Sequence, residues 1–355
     1  MEQQSAKAVE SSNNIAAVQE QKQPSIRCVN LTKIFGERTV VDHLNLAVHA
    51  GELYALLGDN GAGKTTSISM LTTLLKPTSG EIYICGFDAL KDAEKTKGAF
   101  GVVSQDVAIY QELTAFENLA FVADLYGLAK ATALSRIEAL LEDAQLLDRA
   151  NEISGTFSGG MQRKLSIAIA MLHQPKVIFM DEPTVGLDPA SRRQIWSSLK
   201  KLRDGGVSIL LTTHYLEEAE LLADRIGIIR KGKLVAEGTI QELRHKIQGI
   251  RHISIRLHHT VSLESLKPRV DKLLEQFKSE VKYDLLRNTV SFAQPKDSQL
   301  VKHLHLVLTW LEEENIPFSK FATSEPNLEE VFLGLASTPA DADLEKLSDF
   351  DIDDV

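Results

Sequence analysis

The chain alternates apolar and polar stretches from Ser25 to about Leu243, and this pattern predicts strands and helices in turn. Continuous apolar runs, typical of strands buried on both faces, occur in ELYALLG, KVIFMDEP and VSILLTTH. EIYICG alternates as a half-buried strand does, and IGIIRKGKLVAEG indicates a hairpin that turns at Lys231 and Gly232. Helical patterns lie between the strands, in KTTSISMLTTLL and ASRRQIWSSLKKLRDGG. This succession predicts an α/β domain over residues 25–243.

Two segments depart from this alternation. Between Asp106 and about Ile153 the pattern is only helical, which predicts a helical insertion whose subdomain spans about residues 106–174. Residues 250–337 follow another order: strand HISIRL, helix LESLKPRVDKLLEQF, strands KYDLL and TVSFA, helix SQLVKHLHLVLTWLEEEN and strand PFSKFAT. This βαββαβ order predicts a small α+β domain of the ferredoxin-like type.

The two ends of the chain are too polar to form a core. Residues 1–24 are rich in Gln, Ser, Asn and Ala and lack aromatic residues, which predicts a disordered arm. Residues 338–355 include ADADLEKLSDFDIDDV, where seven acidic residues stand against one lysine. Such a run is typical of a solvated tail, and docking to a partner is the less favoured alternative.

Composition narrows the class of protein. A length of 355 residues with 43% hydrophobic residues suggests two domains or one large domain. The net charge of -10 disfavours nucleic acid as a partner, and only two cysteines, Cys28 and Cys85, favour a reducing compartment without a disulfide framework. The start of the chain lacks the apolar core of a signal peptide, and no window approaches the roughly 18–20 apolar residues of a membrane span. We therefore expect a soluble protein, or one that relies on a partner for membrane attachment.

A glycine-rich loop after the first apolar strand predicts a nucleotide site. GDNGAGKTT matches G-x-x-x-x-G-K-[ST], in which curled backbone N–H groups and a helix N-terminus bind phosphate. A glycine-rich turn that binds nothing is the alternative, and the flanking strand and helix make it the weaker one. The candidate nucleotide-binding residues are Gly58, Asp59, Asn60, Gly61, Ala62, Gly63, Lys64, Thr65 and Thr66.

Polar residues at three other strand ends fit the same site. Asp181 and Glu182 end an apolar strand, so Asp181 is expected to hold magnesium together with the Thr65 hydroxyl, and Glu182 to activate water. His214 is a candidate sensor of the γ-phosphate, and Gln105 a candidate ligand of the magnesium or the water. Each has a structural alternative, because a strand often ends in a polar turn and a lone histidine is often structural.

A second phosphate-binding element is predicted in FSGGMQRK. Ser158 can cap the next helix, and Gly159 and Gly160 would expose its first N–H groups to an anion. A plain capped helix start is the alternative. Because there are two such elements but one lysine-bearing loop, a head-to-tail pair of chains could hold two nucleotides between them.

In this order the motifs resemble those of the ATP-binding subunit of an ATP-binding-cassette (ABC) transporter, over about residues 26–243. The resemblance implies that Phe35 stacks on adenine, where the family more often has tyrosine, and that GLD at residues 186–188 is the D-loop, with Asp188 at the nucleotide interface. The signature departs from the common L-S-G-G-Q at Phe157 and Met161, but the retained serine and glycines are expected to keep their phosphate contact. EPNLEEVFLGL is similar to the close of daunorubicin-type exporter ATPases, a branch that moves drugs, lipids, polysaccharides or sodium outward.

The resemblance implies a P-loop ATPase that uses ATP and magnesium to drive transport. Its partners would be a separate transmembrane permease subunit, docked near YQELTAFENL, and a second ABC subunit in a homodimer, at the cytoplasmic face of the membrane. The catalytic residues would be Glu182, His214, Lys64 and Gln105. A soluble cassette ATPase acting on ribosomes or DNA is the alternative, although such proteins usually carry two cassettes or long coiled coils. A regulatory module without catalysis is disfavoured because the catalytic residue types are present.

Overall fold

A computed structural model describes residues 23–246, 251–258, 266, 281–284, 288–294, 300–324, 328 and 332. The chain divides into two compact units, Met1–Thr239 and Ile240–Val355, so the sequence-based boundary at residue 243 falls inside the first helix of the second unit.

A six-stranded sheet forms the centre of the first unit. Its strands, in spatial order, are β10 (Lys233–Gly238), β9 (Arg225–Arg230), β3 (Leu53–Leu57), β8 (Ser208–Thr213), β7 (Val177–Asp181) and β6 (Phe100–Val103). All neighbours pair in parallel except β10, which returns antiparallel to β9 through the predicted hairpin turn. The carboxyl ends of parallel strands meet at one edge of a sheet, where the polar candidate residues follow β6, β7 and β8.

A four-stranded antiparallel sheet packs beside the central one. Its strands, in spatial order, are β2 (Arg38–Val48), β1 (Ile26–Phe35), β4 (Ser79–Ile84) and β5 (Phe87–Asp88). A single buried cluster joins both sheets and the first helix, with Leu31 and Ile82 from this sheet, Phe179 and Leu210 from the central sheet, and Met70 from the helix. The core therefore holds the helix that starts at the glycine-rich loop firmly between two sheets.

Seven helices of the first unit follow in chain order. They are α1 (Lys64–Leu71), α2 (Ala93–Lys97), α3 (Ala115–Leu125), α4 (Lys130–Asp143), α5 (Gly159–Met171), α6 (Pro189–Asp204) and α7 (Leu216–Leu222). Two 3₁₀ turns, Leu147–Arg149 and Ser154–Thr156, lead from α4 into α5.

Helices α3, α4 and α5 share a separate apolar core. Leu119, Ile137, Leu141 and Leu165 are buried together there. Helix α3 starts with a reciprocal capping box, in which the Thr114 side chain accepts from the backbone of the third helical residue. The helical-only sequence pattern thus forms a layer that carries α5 and the serine-glycine element at its start.

The second unit has a four-stranded antiparallel sheet in the order β12 (Val281–Asp284), β13 (Thr289–Gln294), β11 (Arg251–Leu257) and β14 (Phe318–Ser324). Its described helices are α8 (Ile240–Lys246) and α9 (Leu300–Glu313). Ile253, Ile255, Phe292, Val307 and Leu311 are buried in one cluster between sheet and helix. The strand order and pairing are those of the predicted ferredoxin-like arrangement.

Several predicted segments lie outside the described residues. These are the N-terminal arm, almost all of the helix LESLKPRVDKLLEQF, most of EPNLEEVFLGL and the acidic tail. Within the described part of the chain, no helix combines the length and apolar character that crossing a bilayer requires.

Candidate functional site

The glycine-rich loop joins the end of β3 to the start of α1 in the space that its glycines leave open. Gly63, immediately before α1, has a φ of 107°, which only glycine adopts without strain. A Cβ on Gly58 would lie 2.5 Å from the carbonyl oxygen of Ile229, at the end of the neighbouring strand β9. The amide of Gly232, in the hairpin turn, also donates to the Ala62 carbonyl over 2.9 Å. The β9–β10 hairpin therefore braces the loop from behind, a contact that no local motif announces.

Lys64 is the buried cation of this loop. Its side chain is only 4% exposed, and Nζ donates to the carbonyl oxygens of Gly58 over 2.8 Å and Asp59 over 3.0 Å. Nζ also lies 3.3 Å from Oε1 of Glu182. The loop curls around its own lysine, while Asp59, Asn60, Gly61 and Thr65 remain exposed.

Glu182 follows the end of β7 in an unusual backbone conformation. Its φ is 45°, in the left-handed region that non-glycine residues rarely adopt. The Glu182 amide donates to both the carbonyl and the hydroxyl oxygen of Thr212 on β8, over 3.2 and 3.1 Å. The Thr212 hydroxyl in turn donates to Oδ1 of Asp181. The two adjacent strands thus fix both acids, and the carboxylate of Glu182 is buried against Lys64.

His214 meets the same carboxylate from the end of β8. Its Nδ1 lies 3.2 Å from Oε1 of Glu182 but off the direction of a hydrogen bond. The imidazole also packs on Tyr215 with ring centroids 4.2 Å apart, and the Arg192 guanidinium lies 4.6 Å from the Tyr215 ring centroid. Lys64, Glu182 and His214, predicted from three separate motifs, therefore converge within about one hydrogen-bond length of one oxygen atom.

The residues predicted to hold magnesium supply oxygen ligands, the type this ion prefers. Asp181 is 5% exposed and presents its carboxylate at the strand end, and Thr65 exposes its hydroxyl in the first turn of α1. Among the described residues, no group of three His, Cys, Asp or Glu side chains stands ready for a metal. The donor set fits an ion that draws its other ligands from phosphate oxygens and water.

Gln105 lies just beyond β6 with its side chain exposed. The structure shows its backbone tied to helix α5 by Arg163, which sequence reasoning missed. Arg163 donates from Nη2 to the Gln105 carbonyl over 2.6 Å and from Nη1 to the Ser104 carbonyl over 2.5 Å. No contact joins the Gln105 side chain to Lys64 or Glu182 in the described part of the chain.

Ser158 caps α5 as predicted, because its hydroxyl accepts from the Met161 amide over 3.3 Å. Gly159 is exposed, whereas Gly160 is buried against α6, where a Cβ would lie 2.5 Å from Oγ of Ser191. Phe157, which departs from the common signature, is buried in the core of the helical layer. The departure therefore anchors the helix and leaves the exposed serine and glycine unchanged.

Asp188 and Phe35 lie at the edges of the candidate site. Asp188 caps α6 by accepting from the amides of Ala190 and Ser191, and the hydrogen bond from the Ser191 side chain is the main cause that lowers its pKa. The Phe35 ring is 49% exposed, with Nζ of Lys33 5.0 Å from its centroid. An exposed ring at this position has a free face for stacking.

The arrangement is suited to phosphate chemistry: a backbone loop with a fixed lysine, a buried acid that can act as a base, and oxygen ligands for a divalent cation lie together. Comparison with known proteins agrees. A family model described as ABC transporter matches residues 41–185. The linearmycin resistance ATP-binding protein LnrL of Bacillus subtilis (strain 168) is 36% identical over 318 residues, which are 87% of this chain and 97% of that protein.

Two further similarities point the same way. The daunorubicin/doxorubicin resistance ATP-binding protein DrrA of Streptomyces peucetius is 36% identical over 317 residues, covering 89% of this chain and 94% of that protein. Among solved structures, a dimeric ATP-binding cassette in a post-hydrolysis state, bound to ADP and Pi, is 29% identical with a TM-score of 0.55 and covers 60% of this chain and 98% of that one.

Proposed function

Because the chain belongs to the ABC transporter family as an ATP-binding and ATP-hydrolysing subunit, we propose that it powers a drug exporter and that Glu182 is its general base. The observation that carries this proposal is the convergence of Lys64 and His214 on the buried carboxylate of Glu182. The alternative of a soluble cassette acting on ribosomes or DNA is not favoured, since the similarity to resistance ATP-binding proteins runs through most of the chain.

The contact between Lys64 and Glu182 gives a reason why hydrolysis would wait for ATP. Without nucleotide, Nζ of Lys64 lies 3.3 Å from the carboxylate that is to accept a proton. The phosphate oxygens of ATP carry more negative charge and compete for the same ammonium group. When they take over Lys64, Glu182 is released to receive a proton from the attacking water. The base therefore becomes available only when its substrate is bound.

In the reaction, water attacks the γ-phosphorus, the bond to the β-phosphate oxygen breaks, and ADP and phosphate leave. Glu182 accepts the proton of that water, Lys64 neutralises charge on the outer phosphates, and His214 holds the γ-phosphate. Asp181, Thr65 and Gln105 are the residues that would hold magnesium. When bound, this ion would neutralise charge on the β- and γ-phosphates. Phe35 would stack on the adenine.

Two copies of the chain would enclose two nucleotides. Ser158, Gly159 and Gly160 form the phosphate-binding start of α5, and in a head-to-tail pair they would close over the nucleotide on the other chain, with Asp188 beside it. This proposal is supported by the dimeric cassette with bound ADP and Pi among the similar structures. A homodimer is the simplest assembly.

The transport path would belong to a separate permease subunit on whose cytoplasmic face the chain works. The docking surface we propose follows Gln105 along the chain and consists of Tyr110, Phe121 and Leu125, which are 52%, 40% and 70% exposed. Drugs are the proposed cargo because the similar proteins named above confer resistance to linearmycin and to daunorubicin and doxorubicin.

Replacing Glu182 with Gln tests the chemistry. Glu182→Gln keeps the size of the side chain but removes the base, so turnover should fall by about 10²–10⁴-fold while ATP binding persists. Lys64→Ala should instead weaken ATP binding itself, and Lys200→Ala, at an exposed position of α6, is the matched control. Steady-state phosphate release and equilibrium binding of a fluorescent ATP analogue would measure both effects. Near-normal turnover in Glu182→Gln would remove that residue from the role, and unchanged binding in Lys64→Ala would contradict the loop assignment.

A further inference from the structure

Arg163 is a buried cation that none of the predicted motifs uses. It lies on α5, five positions after the capping Ser158, and is only 2% exposed. Its two terminal nitrogens each donate to a different backbone carbonyl, those of Ser104 and Gln105, about 59 residues earlier in the chain. Charge-assisted hydrogen bonds of this kind are about twice as strong as neutral ones. A buried arginine therefore links two segments that both belong to the proposed catalytic site.

The segment that Arg163 holds has little other support. Beyond the end of β6, the Ser104 hydroxyl donates to the Asp106 carbonyl over 2.8 Å and closes a tight turn. With the two bonds from Arg163, three consecutive carbonyl oxygens have partners while the Gln105 side chain stays exposed. The backbone is thus fixed at the one residue whose side chain must reach the nucleotide.

The electrostatic surroundings suit a permanent cation at this point. Burial lowers the pKa of Arg163, and the carboxylates of Asp106 and Asp181 oppose that effect. A guanidinium stays charged in spite of such a loss of solvation, and its planar fork can meet two carbonyl oxygens at once. A lysine would offer a point charge and could not hold both carbonyls in the same geometry.

We propose that Arg163 is a positioning residue that joins the Gln105 turn to the signature helix α5, so that the two move as one body. Gln105 faces the nucleotide of its own chain, whereas the start of α5 faces the nucleotide of the partner chain. Arg163 therefore transmits the state of one nucleotide site to the other. This inference rests on the proposed function, because it assumes that both elements contact nucleotide.

Arg163→Lys tests the link with a conservative change. We expect the kcat of ATP hydrolysis to fall on the order of tenfold, as is typical of a lost coupling between sites, with KM for ATP within about twofold of its original value. The matched control is Arg136→Lys, because Arg136 also donates to a backbone carbonyl, that of Leu172 over 3.2 Å, but does not touch the Gln105 turn. The control should keep its kcat, and both variants should melt at similar temperatures.

A second readout does not depend on turnover. In the Glu182→Gln background, ATP should drive the chain into dimers, which sedimentation would detect. Adding Arg163→Lys should raise the ATP concentration needed for dimerisation by about tenfold, and Arg136→Lys should not. If Glu182→Gln alone forms no ATP-dependent dimer, the proposed nucleotide sandwich fails, and kcat alone then judges Arg163.

Two outcomes would overturn the inference: an unchanged kcat in folded Arg163→Lys, or an equal loss in Arg136→Lys. If Arg163→Lys does not fold, Ser104→Ala takes its place, since it loosens the same turn without touching α5. A smaller fall in kcat with normal nucleotide binding is then expected, and an unchanged kcat would contradict the role of the turn.

Discussion

At the scale of single residues, the backbone of Glu182 combines strain with a proposed catalytic role. A φ of 45° at a residue with a Cβ costs on the order of 1–3 kcal/mol and persists only where the surroundings enforce it. The enforcing contacts are the two hydrogen bonds from the Glu182 amide to Thr212. The strain directs the carboxylate towards Lys64 and His214 rather than along the strand.

This strain predicts different stabilities for two substitutions at the same position. Glu182→Gly and Glu182→Ala both remove the carboxylate, but only glycine adopts the left-handed backbone without cost. We expect the glycine variant to be the more stable one by about 1 kcal/mol, although glycine gains more freedom in the unfolded chain. Chemical denaturation of the two variants measures the difference. Greater stability of the alanine variant would show that the conformation at Glu182 carries no strain.

The same scale shows what sequence could not predict. Lys64, Asp181, Glu182 and His214 each belong to a local motif, so their types and spacing were enough to propose their roles. Arg163 was missed because its partners are backbone carbonyls 58 and 59 residues away, and a carbonyl leaves no mark in the sequence. For the same reason, the support from Gly232 and Thr212 became visible only in three dimensions.

At the scale of elements, the close approach of α5 to α6 depends on one glycine. A Cβ on Gly160 would lie 2.5 Å from Oγ and 2.7 Å from Cβ of Ser191. Ser191 cannot simply turn away, because its hydroxyl and its amide both donate to the Asp188 carboxylate. The signature helix and the helix after the D-loop therefore meet at this contact.

Gly160→Ala should therefore destabilise the first unit, by about 1–3 kcal/mol for the overpacking, less up to about 1 kcal/mol for the better helix propensity of alanine. Gly159→Ala is the matched control, since the nearest atom to a Cβ there is Cδ2 of Leu187 at 3.6 Å, an ordinary contact. Thermal unfolding of both variants gives the comparison. Equal stabilities would mean that the two helices can move apart at little cost.

Element boundaries show a second limit of sequence reasoning. The strands, the hairpin and the long helices were predicted from hydrophobic period and turn residues, and they form as expected. Helix α1 is shorter than the predicted KTTSISMLTTLL, because it ends at Leu71. The Thr72 hydroxyl donates to the Ile68 carbonyl, and Thr73 has a φ of 60°. A threonine side chain that competes for helix carbonyls ends a helix without any glycine or proline to signal it.

At the scale of the whole molecule, the sequence predicted the fold class because motif order and strand-helix succession agree with each other. The antiparallel pairing of β11, β13 and β14 in the second unit was also predictable, since a βαββαβ order allows few arrangements. Surfaces were harder to predict. The exposed Tyr110 and Phe121 belong to segments that read only as helix and loop, and their rings meet edge to face with centroids 5.0 Å apart.

This aromatic pair lies on a rigid base. Asn118, fully buried, accepts from the Tyr110 amide over 2.8 Å and donates to its carbonyl over 2.9 Å, and the Ser154 hydroxyl donates to the same carbonyl. Leu125 lies one helical turn beyond Phe121 on the same face of α3. An exposed apolar patch on a fixed backbone is typical of a docking surface, because little ordering entropy is lost on binding.

The patch therefore predicts where the membrane partner attaches. Tyr110→Ser combined with Phe121→Ser should abolish recovery of the chain with a multi-span membrane protein after mild detergent extraction, because the apolar contact area is removed. Basal ATP hydrolysis by the purified chain should remain, since neither residue contacts Lys64, Glu182 or His214. Leu134→Ser, which changes a 46% exposed leucine on α4, is the matched control and should leave recovery unchanged. Undiminished recovery of the double variant would move the docking surface elsewhere, and loss of basal hydrolysis would show that the patch supports the site rather than the partner.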